Sequence, residues 1–224
     1  WLFKLLVKGL AREHGVAASF MAKPYEDYAG NGLHTHFSVI DSDGANIFDE
    51  RHEGGADLLG HAISGCLAAM PGSTLVFAPH ATSYDRFVPG AHAPTAVAWA
   101  HENRTAALRV PSGAPAARRI EHRVAGGDIN PYLLIAAILG AALNGLEDHE
   151  TPSPPITGNA YAQDLPQLPQ TWGAAIAAFA EAPEIRRIFT PGLIDNMLAT
   201  KRQELHYMGE LSDTERRDLY LDTV

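Results

Sequence analysis

Two short arginine-rich runs within residues 103–123 carry the side chains best suited to chemistry. The second run has the sequence Arg-Arg-Ile-Glu-His-Arg, and the side chains of an extended strand alternate between its two faces. Arg119, Glu121 and Arg123 would therefore share one face. Guanidinium groups bind phosphate and carboxylate in a bidentate way, so a carboxylate flanked by them suits a site for anions, for a metal, or for both. A ladder of surface salt bridges explains the same residues equally well.

A second extended run lies upstream at residues 33–39, where apolar and polar side chains alternate. Its polar face would carry His34, His36 and Ser38. Two imidazoles and a hydroxyl on one sheet face can serve as ligands of a metal or of a phosphate. The histidine pair suggests a metal site only together with Glu121, which adds a carboxylate.

Helices dominate the secondary structure that must position these residues, and a few short strands precede most of them. We expect Pro71-Gly72 to end the second helix. Asn130 and Pro131 predict the start of a helix that is apolar nearly all round, and so is expected to be buried. A few antiparallel strands followed by many helices indicate an α+β fold. The predicted helices cover residues 1–14, 56–70, 130–146, 171–182, 184–189 and 193–208, with a last one from the capping box at 212–215.

Extended and irregular segments fill the rest of the chain. Short strands are predicted at residues 16–21 and, as a hairpin around Asp-Ser-Asp-Gly, at residues 39–48. Residues 87–98 are loop-like, and residues 97–101 lead into the first arginine run. Residues 151–170 contain five prolines and no periodicity, which predicts a long connector on the surface.

Composition and charge exclude several classes of protein. The 224 residues include 17 basic and 26 acidic side chains, a formal net charge of −9, so there is no basic excess for nucleic acid or an anionic membrane. No run reaches the ~18 apolar residues that a membrane span needs. The single cysteine, Cys66, rules out an internal disulfide and favours a cytoplasmic location.

Four motifs resemble those of glutamine synthetases and follow the same order. Residues 30–38, Gly-Asn-Gly-Leu-His-Thr-His-Phe-Ser, resemble the family's Gly-x-Gly-Met-His-x-His-x-Ser. Residues 83–90 resemble its Asn-Ser-Tyr-Lys-Arg-Leu-Val-Pro-Gly, and residues 103–111 its Asn-Arg-Ser-Ala-x-Ile-Arg-Ile-Pro. Residues 118–123 and the Asn-Pro-Tyr-Leu at 130–133 complete the series. The C-terminal helices also resemble those of the gamma-glutamyl-polyamine ligase branch.

The resemblance implies the second half of the glutamine synthetase catalytic fold, a curved antiparallel sheet backed by helices. Residues 1–224 would be the C-terminal portion of the catalytic domain, without the N-terminal domain and the first part of the catalytic domain. The implied reaction joins the side-chain carboxylate of glutamate to ammonia or an amine, using ATP and Mg²⁺ or Mn²⁺. Family members form homo-oligomeric rings with sites between subunits. The family's site also uses glutamates from strands that would precede residue 1, so this chain alone is expected to be inactive.

Matching motif to motif gives individual residues the roles that the resemblance implies. His34 and Glu121 would ligate one metal ion. Catalysis would involve Arg104 and His92. The residues facing ATP would be His36, Ser38 and Arg109. The residues holding glutamate or its phosphorylated carboxyl group would be Gly30, Arg86, Arg104 and Arg123.

Three departures from the family pattern favour an amine larger than ammonia as the acceptor. His92 stands where the family has a glutamate, on a flap that helps to deprotonate ammonium. A neutral imidazole can act as a base, but it cannot attract ammonium as a carboxylate does. Ala29 replaces an asparagine that contacts the amino acid, and Ala116 replaces a lysine that could contact ATP.

Two other functions remain open from the sequence. One is a metal-dependent hydrolase built on His34, His36 and Glu121, which needs a further protein ligand and an open water position and leaves the arginines unused. The other is a non-catalytic member of the family, which the substitutions at Ala29 and His92 would explain.

Overall fold

The computed structural model describes residues 1–91 and 93–224, apart from the side chain of Asp222, and it confirms an α+β fold. The described strands are β1 (Thr35–Phe37), β2 (Trp99–His101), β3 (Leu108–Val110) and β4 (Ile120–His122). The described α-helices are α1 (Leu2–Glu13), α2 (Gly55–Phe77), α3 (Pro131–Asp148), α4 (Trp172–Glu181), α5 (Pro183–Ile188), α6 (Pro191–Gly209) and α7 (Asp213–Thr223). Short 3-10 helices are formed by Ala81–Arg86, Pro115–Ala117 and Ala160–Ala162.

The four strands form one sheet in the order β1-β4-β3-β2. β4 is antiparallel to both of its neighbours, whereas β2 and β3 pair in parallel. The sheet is therefore mixed. The resemblance implied a wholly antiparallel sheet, and that expectation was wrong for the pair β2 and β3. The loop at residues 102–107 begins with Glu102 in the left-handed region (φ 53°) and returns the chain to the starting end of β2 before β3 begins.

The register of the strands separates the sheet into a polar face and a core face. On the polar face His36 lies opposite Glu121, and Glu121 lies opposite Arg109. The alternation predicted for residues 33–39 is confirmed, because His34, His36 and Ser38 are exposed while the residues between them are partly buried. On the core face, burial lowers the pKa of His122 to about 3, and its ring packs on Phe77.

α2 continues through Pro71 to Phe77, so the prediction that Pro71-Gly72 ends this helix was wrong. Proline inside a helix removes a backbone hydrogen bond and costs about 3 kcal/mol. Residues 72–77 are all buried, and full burial of Leu75, Val76 and Phe77 contributes about 1.5–3 kcal/mol for each side chain. Tertiary burial therefore outweighs the local cost of the proline.

α3 begins where the sequence predicts, because the Asn130 side chain accepts hydrogen bonds from the backbone N–H groups of Tyr132 at 3.0 Å and Leu133 at 3.3 Å. The expectation that this helix is buried all round was wrong. One stripe, including Leu134, Ala137 and Ile138, is buried. The exposed stripe consists of Tyr132, Ile135, Leu139 and Leu143.

α2 and α3 cross with their backbones in direct contact. A Cβ atom on Gly65 would overlap the carbonyl oxygen of Ala141, and one on Gly145 would overlap that of His61. The two helices can approach this closely only because glycine has no side chain.

α2 is the one helix in the described chain that is long and apolar enough to cross a membrane by length and composition. In its most apolar 18-residue window, 67% of the residues are buried inside the protein. A core helix of a globular domain has the same composition, and α2 contacts α3, α4 and α5.

Two segments that were predicted to be extended strands do not form them as predicted. Residues 16–21 form no strand in the described chain, because they lie beside no partner strand, and Phe20 instead donates its N–H to the carbonyl of Val224 at 3.3 Å. The hairpin at residues 39–48 is reduced to one bridge, Ile40 with Asn46, around the predicted turn. The side chains of Thr171 and Ser212 act as N-caps of α4 and α7, which confirms the helix start predicted at residue 171 and the capping box predicted at residues 212–215.

Residues 153–168, which we call the strap, lie on the surface as the prolines predicted, and hydrogen bonds also attach them to the rest of the fold. The strap follows β2 and the segment before it. Trp99 Nε1 donates to the carbonyl of Ser153 at 2.6 Å, and the N–H of Val97 donates to the carbonyl of Pro166 at 2.7 Å. Prolines leave their carbonyls available, so a segment without periodic structure can still be held by its neighbours.

The helix crossing gives a first prediction. Gly65→Ala should lower the free energy of unfolding by about 1–3 kcal/mol, because the added methyl group must displace the α3 backbone. Chemical denaturation measures this loss. Gly192→Ala is the matched control, since an added Cβ there meets nothing within 4 Å, and its effect should stay within about 0.5 kcal/mol. Equal losses in the two variants would contradict the close crossing.

Candidate active site

Glu121 lies at the centre of the polar face, and only 3% of its side chain is exposed. Arg109 Nη1 donates to its Oε2 atom at 2.7 Å, and Arg123 Nη1 donates to its Oε1 atom at 2.7 Å. Charge-assisted hydrogen bonds of this length are the strong ones. A carboxylate between two arginines is therefore present, although Arg109 of β3 takes the place that the sequence alone suggested for Arg119.

The two histidines of the first motif approach the same carboxylate. His34 Nδ1 lies 3.1 Å from Glu121 Oε1, and His36 Nε2 lies 3.6 Å from it. Arg119 contacts this group through His36, since its Nε atom donates to His36 Nδ1 at 3.2 Å. The predicted polar faces of residues 33–39 and 119–123 thus come together.

The protonation states in this cluster follow from burial and from neighbouring charges. Burial raises the pKa of Glu121, but the hydrogen bond from Arg109 and the charges of Arg123 and Arg109 outweigh it, so the net shift is downward. Burial and the charge of Arg123 lower the pKa of His34, with Glu121 opposing. Glu121 is therefore an anion at neutral pH, and His34 is a neutral imidazole, which is the form that binds metals.

Glu102 is a member of this cluster that the sequence analysis missed. Its carboxylate accepts a hydrogen bond from Arg109 Nη2 at 3.1 Å and another from the backbone N–H of Ser112. Arg109 therefore bridges two carboxylates, one buried and one exposed. The only signal in the sequence was an acidic residue directly before Asn103. The backbone of Glu102 is left-handed, and this conformation, which directs the side chain toward Arg109, could not be predicted.

Gly30 and Arg86, both predicted to hold substrate, contact each other in the loop that contains Gly30 and Gly32. Arg86 is 4% exposed, and its Nη2 atom donates to the carbonyl of Val124. A Cβ atom at position 30 would lie 2.9 Å from Arg86 Cγ, so this position requires glycine. Burial lowers the pKa of Arg86 to about 10, with Asp128 opposing, and the guanidinium stays charged at neutral pH.

Arg104 occupies an exposed turn beside Arg123. Arg123 Nη2 donates to the backbone carbonyl of Arg104 at 3.0 Å. The turn is held by Asn103 Oδ1, which accepts from the N–H of Thr105 at 3.0 Å and from its hydroxyl at 2.7 Å. Within the described residues, the Arg104 guanidinium makes no hydrogen bond or ion pair, so it is free to contact a ligand.

Buried donors without partners mark three of these arginines. The Nε atoms of Arg86, Arg109 and Arg123 are buried, and each lacks a hydrogen-bond partner in the part of the chain that the structure describes. Buried polar groups are normally satisfied, so water or a ligand is expected to complete the surroundings of these arginines.

The described residues do not form a complete metal centre. No three of their His, Cys, Asp or Glu side chains are arranged to hold an ion. Both oxygens of Glu121 already accept hydrogen bonds from arginine. His34 and Glu121 are adjacent as predicted and can supply part of a ligand set, but the remaining ligands are not among the described residues.

Three further residues that the sequence analysis named lie away from the Glu121 cluster or outside the described residues. Ser38 is exposed on the same polar side as His36, beyond the end of β1. Ala116 lies in a 3-10 helix, and its carbonyl accepts from Asn46 Nδ2 at 3.1 Å. His92 lies outside the described residues.

The family model described as "Glutamine synthetase, catalytic domain" matches residues 1–219. The chain belongs to the glutamine synthetase family. This membership agrees with the four motifs and with the α+β architecture, and it makes Glu121 and its arginines part of a known kind of domain.

Similar proteins within the family include ligases named for amines. The chain is 38% identical over 202 residues to gamma-glutamylputrescine synthetase PuuA of Escherichia coli K12, covering 90% of this chain and 43% of that protein. It is 39% identical over 204 residues to gamma-glutamylethanolamide synthetase GlnA4 of Streptomyces coelicolor, covering 91% of this chain and 44% of that protein. The chain thus spans less than half the length of these curated relatives.

Solved structures of GmaS share the fold. The ligand-free form superposes with a TM-score of 0.83 at 31% identity, covering 96% of this chain and 51% of that one. The GmaS complex with ADP also has a TM-score of 0.83, at 32% identity, covering 97% of this chain and 52% of that one.

The buried charge cluster gives a second prediction. Glu121→Gln should lower the free energy of unfolding by about 3 kcal/mol, because it leaves two arginines with a neutral partner in a buried place. Glu50→Gln removes the carboxylate of an exposed pair with Arg118 and should cost less than about 1 kcal/mol. Denaturant unfolding of both variants measures the two losses in free energy of unfolding. A loss in Glu121→Gln no larger than that in Glu50→Gln would contradict a central role for Glu121.

Proposed function

We propose that the full-length protein is an ATP-dependent ligase that joins the side-chain carboxylate of glutamate to an amine. The observation that carries this proposal is the set of arginines at the polar face. Arg109 and Arg123 both donate to Glu121. Arg123 also donates to the carbonyl of Arg104, and Arg86 lies beside the glycines at positions 30 and 32. Glutamate, ATP and an acyl phosphate are all anions, and guanidinium groups bind carboxylate and phosphate well. Family membership supports the reaction class.

The reaction would take place in two steps. A side-chain carboxylate oxygen of glutamate attacks the terminal phosphorus of ATP, forming an acyl phosphate and releasing ADP. The amine nitrogen then attacks the acyl carbon and loses a proton, while phosphate leaves with the electron pair of the broken C–O bond. Both steps move negative charge, which preorganised guanidinium groups stabilise without having to reorganise.

Within this scheme the substrate-binding groups are assigned by their accessibility. Arg104 is exposed and without a partner among the described residues, so it would contact the phosphorylated carboxyl group directly. Arg123 would orient Arg104 through its backbone carbonyl. Arg86 and Gly30 would form the floor that holds the amino acid.

The nucleotide would lie on the side of His36 and Ser38. Arg109 would have to exchange one of its two carboxylate partners, Glu121 or Glu102, for a phosphate oxygen. Mg²⁺ or Mn²⁺, when bound, would shield the phosphate charges. His34 and Glu121 would provide part of its ligand set.

An amine larger than ammonia is the acceptor that we propose. The relatives named for putrescine and ethanolamine support this choice, as does the histidine at position 92. The acidic net charge of −9 supports small-molecule substrates over nucleic acid or an anionic membrane. A homo-oligomeric ring and a cytoplasmic location, the latter supported by the single buried Cys66, complete the proposal.

The alternatives have less support. A metal-dependent hydrolase needs three protein ligands, and no such set is arranged within the described residues. A non-catalytic family member would leave the exposed Arg104 and the unpaired arginine donors without a purpose.

The test of function uses the full-length protein with ATP, glutamate and a panel of ammonia, methylamine, putrescine and ethanolamine. We expect phosphate release that needs both glutamate and an amine. Arg104→Ala should reduce kcat/KM at least ~100-fold with little change in Tm, because the side chain is exposed and acts on the developing charge. Arg202→Ala, on the exposed side of α6, is the control and should retain activity.

Two outcomes would count against the ligase proposal, and a third would count only against the expectation that this chain is inactive alone. Phosphate release that does not depend on glutamate would indicate a hydrolase. Metal and nucleotide binding without turnover would indicate a non-catalytic member. Equal turnover by the 224-residue chain and the full-length protein would refute the expectation that this chain is inactive alone.

In the full-length protein, Glu121→Gln should abolish ligation and weaken metal binding.

The identity of residue 92 gives a separate prediction about the acceptor. His92→Glu in the full-length protein should raise the ratio of ammonia turnover to putrescine turnover, because a carboxylate attracts ammonium and neutral imidazole does not. Steady-state rates with each amine at saturating ATP and glutamate measure that ratio. An unchanged ratio would remove residue 92 from acceptor selection.

A further inference from the structure

The strap makes its closest connections to the site at its middle, in the 3-10 helix Ala160–Ala162. Asn103 Nδ2 donates to the carbonyl of Gly158 at 2.6 Å, and the N–H of Ala160 donates to Thr105 Oγ1 at 3.0 Å. Both contacts are made with the turn that presents Arg104. The strap is thus attached to the arginine cluster independently of its attachment to β2.

Tyr161, in the same 3-10 helix, extends this connection to a second segment. Its hydroxyl donates to the carbonyl of Ala93 at 2.9 Å. Two residues further on, the carbonyl of Thr95 accepts from the N–H of Leu168 at 2.8 Å. The segment 93–97 is therefore held to the strap at both of its ends, by Tyr161 at one end and by Val97 with Pro166 at the other.

The charges of two arginines of the site act on the Tyr161 hydroxyl. Burial raises the pKa of the Tyr161 hydroxyl, while the positive charges of Arg123 and Arg86 act in the opposite direction. Charges influence a hydroxyl in this way only at short range. The Tyr161 hydroxyl is thus within the electrostatic influence of both arginines, and its hydrogen bond to Ala93 fixes the neighbouring segment.

We propose that Tyr161 is a positioning residue, whose hydroxyl holds the segment 93–97 against the Arg104 turn so that both border the substrate at a fixed separation. The proposal rests on the ligase function proposed above. Misplacing groups around a reacting centre by about 1 Å can cost a hundredfold in rate. A single hydrogen bond to a neutral partner contributes little to stability, so rate and stability should respond differently.

The experiment compares Tyr161→Phe with the wild-type full-length protein. Phenylalanine keeps the ring and removes only the hydroxyl. We expect kcat for amine ligation to fall about tenfold, with KM for ATP changed less than twofold and Tm by only a few degrees. Tyr207→Phe, the same change at an exposed position on α6, is the matched control and should leave kcat and KM unaltered.

Hydrogen exchange supplies a readout that does not depend on catalysis. In Tyr161→Phe, the amides of Val97, Ala160 and Leu168 should exchange several-fold faster, because each donates across the contacts between strap and site. Amides in α2 and α3 should be unchanged. A merely structural role of the hydroxyl would alter exchange without altering kcat, and that result would overturn the proposal.

The remaining outcomes are also decisive. A fall in kcat with unchanged exchange would show that Tyr161 does not act through the segment 93–97. Unchanged kcat and unchanged exchange would refute the contact as well as the role. If the wild-type protein ligates no amine in the panel, the proposed function fails and the catalytic role fails with it, while the exchange data still decide whether Tyr161 holds the segment.

Discussion

The charge of Glu121 is the constraint on which the site depends. A buried carboxylate is costly unless positive donors surround it, and Arg109 and Arg123 each donate at 2.7 Å. Arg109 belongs to β3, whereas Arg123 follows the end of β4, so the register of β3 on β4 must be correct to within one residue. A slip by one position would turn Arg109 into the core and leave Glu121 with one guanidinium fewer.

Contacts of the helices and of the strap with the sheet hold Glu121 and its arginines in place. The core face of the sheet packs through His122 on Phe77, in the last turn of α2. α2 reaches that position only because it continues through Pro71 and crosses α3 at paired glycines. On the edge, β2 and the Arg104 turn are held by hydrogen bonds to the strap. Each support acts on a different strand or loop, and together they set the distances between arginines.

Local features of the sequence predicted local features of the structure well. The alternation in residues 33–39 and 119–123 identified the polar faces, and the Asn130 and Ser212 caps marked helix starts. Such signals work because alternation and capping depend on neighbours along the chain. The failures at Pro71 and at residues 16–21 have the opposite cause, as do the attachments of the strap, which the prolines did not predict. In each case, contacts with distant residues decided whether a segment was helix, strand or pinned coil.

The sequence by itself determined the family, the residue types of the site and which of them share a strand face, because these follow from motif order and from a period of two. Only the tertiary structure decided that Arg109 rather than Arg119 pairs with Glu121, that Glu102 joins them, and that Tyr161 contacts Ala93. Strand pairing and loop path set those contacts, and both depend on which distant surfaces bury each other. No pattern along one strand contains that information.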